Sequence, residues 1–203
     1  MKEIKSTFTY PDNPLGPGIV VVGRFQPLHL GHAELIKNAN DFRNSKFPNL
    51  PLIIAIGSSH ADQSINNPWS SEERLEMVRH WINRNSISAE ITTIPDINDP
   101  PNWVSHAEKF HGKSGTLVTS DEKLAELYFK SKWNVFTFPL INRDSLQGWR
   151  IRATAQMIST IDDEDAIRNI LKSSIPESVI EYLISNDSLR RLATLGGGGE
   201  PVG

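Results

Sequence analysis

The sequence predicts an α/β protein in which a five-stranded parallel sheet is covered by helices on both faces. Two observations support this fold class. Short apolar runs rich in β-branched residues alternate with segments of helical periodicity along most of the chain. Two of these runs, "GIVVVG" and "LPLIIAIG", are apolar throughout, as expected of parallel strands buried on both faces. The pattern is therefore that of a Rossmann-like, doubly wound sheet, followed by a C-terminal helical segment.

The predicted elements alternate as strand and helix up to the fifth strand. Strands are predicted at 18–23, 50–57, 89–95, 115–120 and 133–139. Helices are predicted at 31–43, from about residue 71, at 102–110 and at 121–130, and the chain from 150 onward is expected to be helical. Two pairs have the spacing of a capping box at a helix start, Ser70 with Glu73 and Ser174 with Glu177.

Length and composition limit the classes of protein that the chain can belong to. Its 203 residues suit one α/β domain at 19–158, with an N-terminal extension at 1–18, a helical segment at 159–194 and a flexible tail at 195–203. The net charge of -3 gives no basic field for nucleic acid, and the absence of cysteine removes thiolate chemistry. No segment reads as a secretory signal or a membrane span. We therefore expect a cytoplasmic protein that binds neither nucleic acid nor membranes.

The loop after the first strand, "GRFQPLHLGH", is the strongest candidate for a functional site. Ligands of doubly wound sheets bind beyond the carboxyl ends of the strands. Gly23 permits a tight exit from the strand, Arg24 is a permanent cation suited to phosphate, and a helix start attracts anions. His29 and His32 can lie on one side of the first helical turn. Two alternatives are metal chelation by these histidines, for which no cysteine or neighbouring carboxylate completes a ligand set, and a capped, solvated helix start without function.

Several segments, in this order, resemble the nucleotidyltransferase superfamily. The tetrapeptide at 29–32 matches its H-x-G-H signature, and the longer "GRFQPLHLGH" resembles the archaeal-type nicotinamide-nucleotide adenylyltransferases. The stretches "IGSSHADQSINNPWSSEERLEMV" and "IPDINDPPNWVSHAE" are similar to two further family segments. The resemblance covers roughly residues 19–158. It implies an enzyme that joins nicotinamide mononucleotide (NMN) to the AMP part of ATP, giving NAD and pyrophosphate by direct in-line attack without a covalent enzyme intermediate.

The resemblance also implies roles for residues in all five loops that follow the strands. It assigns catalysis to His29, His32, Arg24 and Arg152. It assigns ATP binding to Gly23, Arg24, Phe25, His29, Gly31, His32, Asp121, Asn142, Gly148, Arg150 and Arg152, and NMN binding to Ser58, Asn67, Asp96, Asn98 and Trp103. Mg²⁺ is expected to arrive on the ATP phosphates, which needs no protein metal site. Family members are often homo-oligomers. Two nearby residues, Arg74 and His106, are interpreted as structural.

One stretch departs from the family pattern. The superfamily usually places a Ser/Thr-rich motif at a late helix start, where it holds the ATP phosphates. Here the matching stretch is "LQGWRIR", in which Gln147 and Trp149 replace hydroxyl residues and only Gly148, Ile151 and Arg152 keep the pattern. The departure leaves two alternatives open: a nucleotidyltransferase for another phosphorylated acceptor, and a non-catalytic NAD- or ATP-binding sensor of the same fold.

Overall fold

The computed structural model describes residues 10–140 and 146–195. Its five strands are β1 (Ile19–Gly23), β2 (Leu52–Ile56), β3 (Glu90–Thr93), β4 (Thr116–Thr119) and β5 (Asn134–Thr137). The helices are α1 (Leu30–Lys46), α2 (Ser71–Arg84), α3 (Trp103–His111), α4 (Glu122–Lys130), α5 (Gly148–Met157), α6 (Glu164–Leu171), α7 (Glu177–Ser185) and α8 (Arg191–Leu195), with a 3₁₀ turn at Pro100–Asn102. Each strand lies inside its predicted range, and the predicted fold class is confirmed.

The sheet is parallel throughout and has the strand order β3-β2-β1-β4-β5. The chain winds outward from β1 to β3 and then returns to the other side of β1, so the topological switch lies between β1 and β4. These two strands pair only through Ile19 with Thr116 and Val20 with Leu117. Because β1 continues to Gly23 without further pairing to β4, the two strands separate toward their carboxyl ends. A crevice at this position is the usual ligand site of such sheets.

Of the two capping boxes predicted at helix starts, one is confirmed and one is wrong. The capping box of Ser70 and Glu73 is confirmed at the start of α2. The one predicted for Ser174 and Glu177 is wrong, because the N-cap of α7 is Pro176 and Glu177 is the first helical residue. Proline has a fixed φ that suits a helix start, and here it delays the helix by two residues. The Ser174 hydroxyl instead donates to the Leu171 carbonyl at 3.3 Å.

The C-terminal helices pack onto the sheet domain rather than standing apart from it. Buried residues of α7, including Val179 and Leu183, belong to the same hydrophobic core as Met77 of α2. The Trp69 indole donates to the Ser188 carbonyl at 3.2 Å. None of the described helices is long and apolar enough to cross a membrane.

Candidate active site

A cavity of about 450 Å³ lies at the carboxyl ends of the strands, in the crevice between β1 and β4. The structure brings eight of the predicted site residues together in its lining: Gly23, Arg24, His29, His32, Ser58, Asp96, Trp103 and Asp121. Two ends are named here after the ligands that the sequence predicts for them. The phosphate end is the turn at 23–32 after β1, and the acceptor end comprises Ser58, Asp96 and Trp103 with Asp99 of an adjoining side cavity.

The two histidines of the phosphate end cap the helix that follows them. His29 is the N-cap of α1, and its Nδ1 accepts from the backbone N–H of His32 at 3.3 Å. In return His32 Nδ1 accepts from the His29 N–H at 3.4 Å, and the two rings stack with centroids 3.6 Å apart. A Cβ at Gly31 would stand 3.2 Å from the His29 ring, so the small residue between the histidines permits this stacking. With both Nδ1 atoms accepting, each neutral ring carries its proton on Nε2.

Both imidazoles are held in the neutral form. Burial lowers the pKa of His29 from 6.5 to about 4, and the positive charge of Arg152 adds to the effect. Burial also holds the pKa of His32 well below its ordinary value, with further contributions from His29 and Arg24, while a hydrogen bond between its ring and the Pro27 backbone acts in the opposite direction. The phosphate end therefore carries two neutral imidazoles beside the guanidinium of Arg24.

The backbone around the site is held in an uncommon conformation at three predicted positions. Phe25, Ser58 and Asn98 are non-glycine residues with φ of 50°, 53° and 51°. Such left-handed geometry persists only where surrounding contacts enforce it, and it clusters at functional sites. Phe25 is 1% exposed, and its ring packs against His32 and closely over Gly23, where a Cβ would stand 3.0 Å away. Phe25 thus supports the turn from below and does not line the cavity.

Arg74 of α2 holds the loops after β1 and β2 together. It is 2% exposed, and its Nη1 donates to the carbonyls of Arg24 at 2.7 Å and Gly57 at 2.8 Å. Its Nη2 donates to the Ser58 carbonyl at 3.0 Å, and its Nε to the Ser70 carbonyl at 3.2 Å. Burial lowers its pKa to about 10, so it remains a cation at neutral pH. The sequence indicated a structural residue, but not that its partners are these loop carbonyls.

The acceptor end is built from the loops after β2 and β3. The Ser58 hydroxyl donates to Asp96 Oδ2 at 2.6 Å, and the half-buried Trp103 begins α3 beside them. A side cavity of about 320 Å³ shares Asp96 and Trp103 with the main cavity and extends it toward Asn98 and Asp99. Asp99 was not among the predicted site residues, although it lies in the same "PDIND" segment. Its carboxylate accepts from Asn102 Nδ2 at 2.8 Å.

The "LQGWRIR" segment forms the start of α5 at the edge of the cavity. Gln147 is the N-cap and lines the cavity, and its Oε1 accepts from the Trp149 indole N–H at 2.6 Å. Arg152 is buried and donates to the Gln26 carbonyl at 3.1 Å, so it supports the phosphate end from behind. A Cβ at Gly148 would stand 3.1 Å from Arg152 Nη1, which gives this glycine a packing role.

Besides Phe25, Gly31, Gly148 and Arg152, which lie next to the cavity without lining it, and Asn98, which lines only the side cavity, three more predicted site residues are not found in the lining. The exposed Arg150 lies over the Trp149 ring at 4.8 Å. Asn67 pairs with Ser64 in an isolated bridge outside the cavity lining. Asn142 lies outside the described residues. The binding roles of all three stay predictions.

Within the described ranges, no group of three or more histidine, aspartate and glutamate side chains is arranged to hold a metal ion. His106 has its Nε2 at 2.8 Å from the Pro95 carbonyl, deep in the protein. This placement agrees with a structural role for His106 in holding the loop after β3.

Comparison with known proteins places the chain in a family. The model of the cytidylyltransferase-like family matches residues 20–175. The nicotinamide-nucleotide adenylyltransferase of Pyrococcus abyssi is 30% identical over 176 residues, which is 86% of each chain. The enzyme of the same name from Thermoplasma volcanium is 29% identical over 176 residues, covering 86% of this chain and 90% of that one.

Two solved structures of a bifunctional NMN adenylyltransferase/ADP ribose pyrophosphatase from Francisella tularensis have a similar fold. One superimposes with a TM-score of 0.62 at 21% identity and covers 87% of this chain. The other, a complex with AMP and a manganese ion, gives a TM-score of 0.56 at 22% identity over 83% of this chain. In both cases the match spans 52% of the bifunctional protein, about half its length.

The chain belongs to the cytidylyltransferase-like family, as the match over residues 20–175, from β1 to beyond the end of α6, shows. The resemblance drawn from the sequence is confirmed, and so is the expectation of an enzyme of the nucleotidyltransferase class.

Proposed function

We propose that this protein transfers the adenylyl group of MgATP to the phosphate of NMN, giving NAD and pyrophosphate. The observation that carries the proposal is one cavity with two ends of opposite character. The phosphate end has two stacked imidazoles and Arg24, whereas the acceptor end has an indole flanked by carboxylates. A triphosphate matches the first end, and a cationic pyridinium ring matches the second. The names of the archaeal relatives point to the same pair of substrates.

The reaction needs alignment and charge stabilisation more than a protein nucleophile. An oxygen of the NMN phosphate attacks the α-phosphorus of ATP from the side opposite the leaving group. A new P–O bond forms as the bond to the β-phosphate oxygen breaks, and pyrophosphate leaves with the electrons of that bond. Since the attacking oxygen is already anionic, no proton has to be removed from it. Direct in-line transfer without a covalent enzyme intermediate follows from this chemistry.

At the phosphate end, His29 and His32 supply donors whose direction the fold fixes. Their reciprocal cap holds the Nδ1 atoms inside the turn, so the Nε2–H groups are the donors for phosphate oxygens, that of His32 in exchange for the Pro27 carbonyl to which its ring is bonded. Negative charge builds on the departing pyrophosphate, so these donors and Arg24 bind the transition state more tightly than the ground state. Removing one preorganised donor of this kind reduces turnover by about 10²–10³-fold.

Gln147 offers a replacement for the missing hydroxyls of the late motif. Its Oε1 is committed to the Trp149 indole, which leaves the amide N–H₂ as the donor side of a residue that lines the cavity. The start of α5 adds the positive end of the helix dipole. Mg²⁺ enters as part of the MgATP substrate, held mainly by phosphate oxygens and water.

At the acceptor end, Trp103 provides an aromatic face for the pyridinium ring, a contact on the order of 1 kcal/mol. Asp96 is oriented by the Ser58 hydroxyl and retains lone pairs for hydroxyls of the bound ribose. The homo-oligomeric state and the cytoplasmic location expected from the sequence stay predictions.

The test is an assay of the purified protein with MgATP and a panel of phosphorylated acceptors. NAD, measured with a coupled alcohol dehydrogenase, and pyrophosphate should appear in equal amounts when NMN is the acceptor. Pyrophosphate release with a different acceptor and none with NMN would assign the enzyme to another substrate. Tight binding of NAD without turnover on any acceptor would favour the sensor alternative.

A further inference from the structure

Arg74 is a buried cation that faces backbone carbonyls rather than a carboxylate. Among the described residues, its side-chain hydrogen bonds all go to carbonyl oxygens, those of Arg24, Gly57, Ser58 and Ser70. The Glu72 carboxylate interacts with this charge from a distance but does not bond to it. Burying a charge in this way is expensive and is tolerated only when oriented dipoles replace the lost water. A methionine would fill much of the same space without this penalty. The role of Arg74 therefore depends on which carbonyls its guanidinium binds.

Those contacts join the two ends of the cavity. A single nitrogen, Nη1, binds the Arg24 carbonyl of the phosphate end and the Gly57 carbonyl before the acceptor end. The neighbouring Nη2 binds the Ser58 carbonyl, and the Ser58 hydroxyl in turn holds Asp96. The separation between the phosphate end and the acceptor end is thus set through one planar group.

The two residues that follow the pinned carbonyls carry the strained backbone of the site. Phe25 follows Arg24, and Ser58 follows Gly57, and both have left-handed φ values. The guanidinium fixes the peptide groups that enter each of these residues, so it supplies the surrounding contacts that such geometry requires. A lysine could donate to only some of these carbonyls, because its single ammonium lacks the planar arrangement of N–H donors that a guanidinium has.

We propose that Arg74 is a positioning residue that sets the alignment of the acceptor phosphate against the α-phosphorus of ATP, although it touches neither substrate. This inference rests on the proposed function and adds to it a residue that acts on the distance between two bound substrates. A displacement of about 1 Å between reacting groups can reduce turnover by about 10²-fold while each substrate still binds.

The experiment compares Arg74→Met and Arg74→Lys with Arg79→Met, an exposed arginine of the same helix. Each variant is measured for kcat per folded site and for two separate dissociation constants by calorimetry, with NMN alone and with an ATP analogue whose α,β-bridge is a methylene group. We expect kcat to fall about 30–100-fold in Arg74→Met and less in Arg74→Lys. Both dissociation constants should stay within about threefold of the wild type, and Arg79→Met should match the wild type throughout.

Two results would overturn the proposal: an unchanged kcat per folded site in the Arg74 variants, or dissociation constants that rise as much as kcat falls. If Arg74→Met does not fold, Arg74→Lys alone decides on the same criteria. Wild-type turnover is measured first with NMN. If it occurs only with another acceptor, the proposed substrate is wrong, and the Arg74 variants are compared with that acceptor instead.

Discussion

The phosphate end and the acceptor end of the cavity are built in opposite ways. At the phosphate end, His29 and Phe25 are buried, and the histidine that faces the ligand also caps α1. At the acceptor end, Asp96 and Asn98 are exposed, and Trp103 is half-buried. Under the proposed function, the histidines that bind phosphate are therefore also part of the folded core, whereas the carboxylate and amide that face the acceptor lie at the surface. Substitutions should reduce turnover at the first end and alter acceptor selection at the second.

The largest effect is expected from His32→Ala at the phosphate end. Turnover should fall by about 10²–10³-fold, because a donor to the leaving pyrophosphate is lost. Binding of NMN should weaken by less than about threefold, since the acceptor end is untouched. Steady-state kinetics and calorimetry with NMN measure the two quantities. His80→Ala, an exposed histidine of α2, is the control. Equal losses in turnover and in NMN affinity would contradict the role assigned to His32.

The next prediction concerns the pH dependence of stability, and it tests whether the neutral imidazole of His29 stabilises the fold. The pKa of His29 is about 4 in the folded protein against 6.5 as the ordinary value, so the unfolded chain binds the proton more tightly. The contribution of His29 to the free energy of unfolding should therefore be complete above about pH 6.5. It should decrease as the pH falls toward 4, by up to about 3 kcal/mol.

His29→Gln is the variant that isolates this effect, because its side-chain oxygen can still cap α1 without titrating. Urea unfolding of the variant and the wild type, at about pH 7 and about pH 5, gives the free energies of unfolding. The variant should lose less stability on acidification than the wild type does. The same acid sensitivity in both proteins would show that His29 is not held neutral by the fold.

Local patterns were sufficient to predict the strands and the turn at 23–32 with the helix start that follows it. The H-x-G-H turn is contiguous, so its glycine, its histidines and the following helix start were all visible together. Arg74 is different, because its Arg24 partner lies 50 positions away. Every residue has a backbone carbonyl, so the sequence does not indicate which carbonyls the guanidinium binds. Arg152 shows the same limit, since its contact with Gln26 spans 126 positions. The mistaken capping box at Ser174 has a local cause, since the pattern did not take account of Pro176.

A smaller effect is expected from Trp103→Leu at the acceptor end. Loss of the aromatic face should raise KM for NMN by about fivefold, which corresponds to a cation–π contact of roughly 1 kcal/mol. The kcat should change by less than twofold, because leucine preserves the apolar start of α3. Phe129→Leu, which alters a 72% exposed ring on α4, serves as the control. A fall in kcat without a change in KM would place Trp103 in the alignment of the substrates rather than in acceptor binding.

The smallest effect concerns the charge of the acceptor ring and tests whether the acceptor end selects by electrostatics. Asp96 and Asp99 line the side cavity, and within the described parts of the chain neither carboxylate has an ion-pair partner. A nicotinate ring carries an extra negative charge that these groups repel, by roughly 0.5–1 kcal/mol at partly solvated distances. Asp99→Asn should therefore lower the ratio of kcat/KM for NMN over nicotinate mononucleotide by about threefold.

This substitution retains the size of the side chain and an oxygen that can accept from Asn102, so the 3₁₀ turn should be preserved. The ratio should also fall as salt is added to the wild type, because partly exposed charges are screened. Asp41→Asn, an exposed change on α1, should alter neither quantity. A ratio that is unchanged in Asp99→Asn and insensitive to salt would mean that shape and hydrogen bonding select the acceptor. The acceptor end would then depend on fixed geometry as the phosphate end does, and the contrast between the two ends would be reduced to their burial.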